Sequence, residues 1–297
     1  MAGGQERILR RRIKSVRATR KITKAMELIA ASQIARSQAR ITANRPYRAG
    51  MSRIILEAAQ GDPHAAALML GTPEKVETAV VLSISGDRGL SGAYNSSVMR
   101  ATERLILELK NQGTQVRLIT VGKKSLAYFR FRGIDVERNF FGFADRPSFS
   151  DAREVADIVA APFVAGEAQQ VLLVSTHFKS AASQAVETRQ LLPLLVDEPV
   201  ESNETKPLKG YTEFEPEVAN LLVELAPKAL ESEIFTALLE GAASFHTSQQ
   251  RAMAAATDNA DELARTLTRI MNRARQDSIT TEIMEIVGGA EALRSGK

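Results

Sequence analysis

Residues 235–274, FTALLEGAASFHTSQQRAMAAATDNADELARTLTRIMNRA, decide the fold. Phe235, Leu239, Ala242, His246, Gln249, Met253, Ala256, Ala260, Leu263, Leu267, Ile270 and Ala274 alternate in steps of four and three, and ten of these twelve are apolar. A 3.5-residue repeat held over that distance is the seam of a left-handed coiled coil, not the broader stripe of a globular amphipathic helix. The helical stretch runs from Pro227 to Val287 with Gly241 as its only helix-weakening residue. At 1.5 Å per residue, residues 228–287 would span about 90 Å, against a diameter of roughly 50 Å for a compact chain of this length. The helix is therefore expected to project from the body.

A partner for this seam lies at the other end of the chain. From Gln5 to Arg45 there is no Gly or Pro, and good helix formers dominate. Ala18, Ile22, Ala25, Ile29, Ser32, Arg36, Ala39 and Ala43 again step by four and three. This narrow, small-residue seam predicts close approach of the C-terminal helix, in an antiparallel coiled coil. The same segment is strongly basic. Residues 1–53 hold fourteen Lys and Arg against Glu6 and Glu27, a net charge of +12, so the remainder of the +4 chain carries −8. Such a split points to an acidic partner surface, whether nucleic acid, lipid headgroup or protein.

Between the helices the period changes. Thr78–Ile84, Val116–Val121 and Val171–Ser175 are β-rich runs of the kind buried in parallel sheets, alternating with helical stretches near 95–112 and 151–165. A small α/β head is thus expected between the helices, with residues 1–60 as N-terminal helix, 75–196 as head, 197–212 as a Pro-containing linker and 213–297 as C-terminal helix.

Composition removes several chemistries. The chain has no cysteine, so disulfides, thiolate nucleophiles and Cys-built zinc sites are excluded, and His64, His177 and His246 are scattered. No stretch approaches eighteen consecutive apolar residues and the N-terminus is charged from the start, so neither a membrane span nor a signal peptide is expected, and the default compartment is the cytoplasm. Ser85-Gly-Asp-Arg-Gly-Leu-Ser-Gly92 follows a strand and precedes a helix, where backbone amides can hold phosphate. Its glycine spacing lacks both the dinucleotide fingerprint and the Lys-Ser/Thr of a P-loop, which favours a structural turn. No nucleophile elbow, zinc-binding helix or paired carboxylate stands out, and His246, on the seam, reads as a packed and hydrogen-bonded histidine. Base-stacking aromatics are absent from residues 1–46, so an acidic protein loop fits the basic helix better than nucleic acid does.

The residues also carry a resemblance. Lys21-Ile-Thr-Lys-Ala-Met-Glu-Leu-Ile-Ala-Ala-Ser32, Gly86-Asp-Arg-Gly-Leu-Ser-Gly92, Gln190-Leu-Leu-Pro193, Ala256-Thr-Asp-Asn259 and Asn272-Arg-Ala-Arg-Gln-Asp-Ser-Ile-Thr-Thr-Glu-Ile-Met-Glu-Ile-Val-Gly-Gly289 occur in that order. Together they resemble the gamma subunit of the F-type ATP synthase over essentially the whole chain. The resemblance implies a Rossmann-like α/β head inserted between the helices of a rotating shaft. In that family the shaft turns within a ring of alpha and beta subunits, and the head rests on the c-ring beside the epsilon subunit. Rotation driven by proton flow changes the nucleotide affinity of each beta subunit in turn.

By the same resemblance, Lys21, Lys24 and Met26 would lie near acidic loops of the beta subunits, with Arg251 a further contact, and Arg275 and Gln276 would meet the beta catch loops. Ile279, Ile283, Ile286 and Val287 would form the apolar tip that turns in a bearing. Family members usually carry more basic residues before the Ala-Thr-Asp-Asn block, where this chain has Gln249, Gln250 and Ala254. Having no cysteine, the chain lacks the dithiol switch of chloroplast relatives. The resemblance implies no catalytic residue, cofactor, metal or nucleic acid of its own, and a place on the cytoplasmic face of the cell membrane through the complex alone. A coiled-coil nucleic-acid-binding regulator and a nucleotide-dependent α/β enzyme are the alternatives.

Overall fold

The computed structural model describes residues 2–61, 75–194 and 218–295; the expected linker at 197–212 lies outside them. In chain order the elements are α1 (Ala2–Gly61), β1 (Thr78–Ile84), α2 (Tyr94–Asn111), β2 (Gln115–Val121), α3 (Lys123–Phe131), β3 (Arg138–Phe140), α4 (Phe149–Val164), β4 (Gln170–Phe178), β5 (Gln184–Leu192) and α5 (Val218–Ser295). The chain divides into two compact units, residues 1–30 with 250–297, and residues 31–249.

The larger unit is built on a five-stranded sheet of order β3-β2-β1-β4-β5. The first four strands are mutually parallel and β5 is antiparallel to β4. Six of the seven residues of β1 are buried, as a parallel strand covered on both faces requires. Alternation sorts them: Ala79 and Val81 pack with Val98 and Ile106 of α2 and Phe129 of α3, whereas Val80, Leu82 and Ile84 pack with α4 and with α5. A capping box starts α4, with Ser148 Oγ accepting from Asp151 N (3.2 Å) and Asp151 Oδ2 accepting from Ser148 N (2.6 Å).

Within this unit, residues 236–247 of α5 are buried without a break. The sheet covers one side and α1 the other, where Ile41 packs on Leu239 and Ala243. Asn44 Nδ2 donates to Thr236 Oγ1 (2.8 Å), and Arg48 grips Glu233 through Nε and Nη2 (2.5 and 3.1 Å). The polar side chains of so deep a segment need partners. Glu240 faces His177 Nδ1 at 2.8 Å and Arg189 at 3.7 Å, while Thr236 and Thr247 donate back to the carbonyls of Ser232 and Ala243. Gly241 is the point of closest approach. A Cβ there would stand 3.1 Å from Tyr94 Oη and 3.5 Å from Ile84 Cγ2. One turn on, Phe245 meets Tyr94 edge to face at 5.7 Å, and His246 Nε2 lies 3.4 Å from the carbonyl oxygen of Asp145.

In the smaller unit α1 and α5 pack antiparallel, because partners run in opposite senses: Ile13 packs with Leu267, Arg20 Nε pairs with Asp261 Oδ1 (2.5 Å) and Thr23 Oγ1 bonds Thr257 Oγ1 (2.8 Å). The four-three period holds, but its register on α1 differs from the expected one. Leu9, Ile13, Thr23 and Ala30 are buried and Val16 partly so, whereas Ala18, Ile22, Ala25 and Ile29 are exposed, as are Ser32, Arg36, Ala39 and Ala43 in the larger unit. The inward face carries Arg20, Thr23 and Glu27, so counting apolar residues selects the outward face instead. Partners on α5 answer Arg20 and Thr23, and Glu27 accepts from Lys24 of its own helix. On α5 the expected positions Met253, Ala260 and Leu267 are buried, but the intervening ones shift by one residue to Thr257 and Ala264, leaving Leu263 and Ile270 exposed.

Both helices also pass through prolines, Pro46 in α1 and Pro227 in α5, each inside the expected spans 1–60 and 213–297. Each removes one intrahelical hydrogen bond, but the neighbouring residues Ala229, Leu230 and Ile234 are buried in the core. Tertiary burial outweighs the local preference there. The elements not foreseen are α3, β3 and β5.

The register predicts a contrast within one helix. Ile13→Ala should cost about 2–5 kcal/mol as a buried large-to-small change, and Ile22→Ala should stay within about 0.5 kcal/mol, both read by urea denaturation of the chain. Gly241→Leu should lose about 1–3 kcal/mol by overpacking against Tyr94 and Ile84 despite better helix propensity. Burial lowers the pKa of His246 below its ordinary 6.5. The unfolded chain then takes up the proton first, so stability should fall as pH drops below about 6.5, and His246→Gln should flatten that part of the pH profile.

Candidate functional site

The Gly-rich loop after β1 sits at the C-terminal edge of the sheet, where doubly wound folds bind ligands. Here several of its polar groups are bonded internally. Gly86 N donates to Asn95 Oδ1 (2.8 Å), and Asn95 Nδ2 donates to Arg88 O (2.9 Å). Asp87 accepts from Lys123 N (3.1 Å) at the start of α3 and from Gly142 N (2.8 Å). Arg88 pairs with Asp145, and a Cβ on Gly86 would lie 3.1 Å from Phe245. Asn95 takes the Gly86 amide and the Phe245 ring fills the space above Gly86, so this end of the loop is closed against a phosphate. Among the described residues no group of three or more His, Asp or Glu is placed to hold a metal ion, and no helix is long and apolar enough to cross a membrane.

The surface suited to a partner lies on the smaller unit. An open groove of about 950 Å³ runs between α1 and α5, lined by Arg17, Arg20, Lys21, Arg265, Arg269 and Arg273 against only Asp261 and Asp277. Arg20 is paired with Asp261. The other five cations make no ion pair among the described residues, leaving their charge directed at solvent. A second groove of about 490 Å³ shares Arg17, Lys21 and Thr268 and continues the basic face to Arg10 and Lys14.

Of the expected site residues, Lys21 and Gln276 share this groove. Lys24 is exposed and donates to Glu27 (2.9 Å), Met26 is half-buried, and Arg251 and Arg275 are exposed outside the groove lining. Ile279, Ile283, Ile286 and Val287 are exposed together with Met284, an apolar helix end with no buried neighbour in the described chain. Arg265, Arg269 and Arg273 went unnoticed in the sequence, although their i, i+4 spacing places them on one face. The outward face of α1 was likewise misassigned to the seam. Ile22 and Ile29, each about 60% exposed, make it an apolar surface beside the basic one.

Comparisons with known proteins identify the family. A family model described as ATP synthase matches residues 5–293. The ATP synthase gamma chain of Parafrankia sp. (strain EAN1pec) is 46% identical over 99% of both chains. That of Acidothermus cellulolyticus (strain ATCC 43068 / DSM 8971 / 11B) is 45% identical over 98% of both. Among solved structures, a chain of the Euglena gracilis mitochondrial ATP synthase (OSCP/F1/c-ring, rotational state 3) superposes with a TM-score of 0.68 at 17% identity, covering 99% of this chain and 96% of that one. A chain of the Tetrahymena thermophila mitochondrial ATP synthase central stalk and c-ring gives 0.61 at 24% identity, covering 79% of this chain and 99% of that one. The two structures share the α/β fold with its long helices, and the sequence relatives extend the match along the whole chain. The chain belongs to the ATP synthase gamma chain family.

Proposed function

We propose that this chain is the rotating shaft of a proton-translocating ATP synthase, with no active site of its own. Residues 1–60 and 213–297 act as the shaft and 75–196 as the head, joined through 197–212. The shaft turns inside the ring of alpha and beta subunits, and the head bears on the c-ring beside epsilon. The complex places the chain peripherally on the cytoplasmic face of the cell membrane.

One observation carries this reading: the outer surface of the α1–α5 pair is asymmetric. An apolar face at Ile22 and Ile29 and a basic groove at Arg17, Lys21, Arg265 and Arg273 present different chemistry in different directions. A shaft acts as a ligand whose orientation selects among conformations of the catalytic subunits, and selection requires differential contact. Exposed cations suit that task, because solvated ion pairs are individually weak and release without trapping the rotor.

Lys21, Lys24, Met26 and Arg251 are the proposed contacts to beta-subunit acidic loops, Arg275 and Gln276 to the catch loops. Ile279, Ile283, Ile286 and Val287 form the tip in its bearing. Truncation after Asn272, and separately the Arg275→Ala/Gln276→Ala pair, should leave complex assembly intact while lowering ATP-driven proton pumping about fivefold or more, a coupling loss of at least ~1 kcal/mol. Pumping assays on reconstituted vesicles check this, and unchanged pumping contradicts the assigned roles. Copurification of alpha and beta subunits, with no salt-sensitive nucleic-acid affinity, separates the shaft from a nucleic-acid-binding regulator.

A further inference from the structure

We propose that Asp87 is a built-in anion, a positioning residue whose carboxylate clamps three loops at the sheet's C-terminal edge and thereby fixes the surface that grips α5. Asp87 belongs to the loop after β1. Its Oδ1 accepts from Lys123 N (3.1 Å), the first residue of α3 after β2, and its Oδ2 accepts from Gly142 N (2.8 Å) and Ala144 N (3.4 Å), which follow β3. Three backbone amides from two other loops thus converge on one side chain. The N-terminus of α3 adds its dipole to the attraction.

The remaining geometry around the carboxylate is equally constrained. Gly122, immediately before Lys123, has φ of 103°, and a Cβ there would lie 2.6 Å from Ser85 O. The β2–α3 turn therefore approaches the end of β1 as closely as a backbone can. Lys124 N also donates to Gly86 O (3.3 Å). From Asp87 the contacts continue to α5. The next residue, Arg88, pairs with Asp145, whose carbonyl faces His246 Nε2, and the preceding Gly86 lies against Phe245. Two consecutive residues of α5 thus rest on the loop that Asp87 holds. A neutral residue at 87 would leave three amides competing for water and free the two loops from the β1 end.

Asp87 is only partly buried, so a small carboxylate from solvent can reach the position that its side chain vacates. This distinguishes an anion clamp from a generic packing role. In Asp87→Gly, hydrogen exchange at Lys123, Gly142 and Ala144 should quicken about tenfold, and acetate at about 100 mM should restore much of that protection, with chloride at equal ionic strength ineffective and wild type unresponsive to either. The milder Asp87→Asn should quicken the same amides to a smaller extent and gain nothing from acetate, since its side chain still fills the space. Unaltered exchange at the three amides in Asp87→Asn, or an Asp87→Gly chain that folds but ignores acetate, overturns the clamp. In the assembled complex, on the shaft reading above, Asp87→Gly should weaken ATP-driven pumping and acetate should recover it. The exchange readout involves this chain alone, so its failure leaves the shaft reading standing, whereas a wild-type chain that cannot support pumping overturns that reading and not the clamp.

Discussion

Everything in the larger unit depends on the burial of residues 236–247 of α5 between the sheet and α1. A helix enclosed on all sides cannot carry the one-sided pattern of a surface helix, and this segment does not: Glu240, Ser244, His246 and Thr247 are as deeply placed as Leu238 and Phe245. Its geometry is set by near-contact, with Gly241 under Tyr94 and Phe245 over Gly86, and its charge is set by Glu240 between His177 and Arg189. Native interiors respond to such packing as solids do, so the sheet and this stretch of α5 move together or not at all.

The smaller unit obeys a different rule. Its two helices share one narrow seam, and everything else they carry faces outward. The polar pairs Arg20–Asp261 and Thr23–Thr257 are spent on the seam, and the apolar Ile22 and Ile29 are spent on the outside. That inversion costs solubility in a free chain. It is understandable in one whose outer surface is covered by neighbours, because exposed apolar surface of this kind marks a place of interaction.

The same inversion explains how much the sequence revealed. The heptad period, the helical ends and the three central strands were legible because period and composition are local properties. The seam's register on α1 was not, because it depends on which polar residues find partners: Thr23 is acceptable inside only when Thr257 stands opposite. Strand β5, with Glu187, Thr188, Arg189 and Gln190, lacks the apolar run that marks the central strands, and its Arg189 is accommodated by Glu233 and Glu240 from α5. The spacing of the Gly-rich loop favours a structural turn, but the contact that ties it down is not local: the amide donors to Asp87 are 36, 55 and 57 residues away. The basic groove was visible only by half, since Arg17 and Lys21 were counted in the N-terminal charge while Arg265, Arg269 and Arg273 come from the other helix.

Rotation of this chain as a shaft can be observed directly. The absence of cysteine makes a direct measurement straightforward, because Val164→Cys at an exposed position provides a unique attachment point. With the alpha–beta ring immobilised and a probe attached at that residue, ATP should drive rotation in one direction, in discrete steps, each stabilised by differential contact with one beta subunit. A probe that remains fixed, or jitters without direction, while the same assembly hydrolyses ATP would contradict the account.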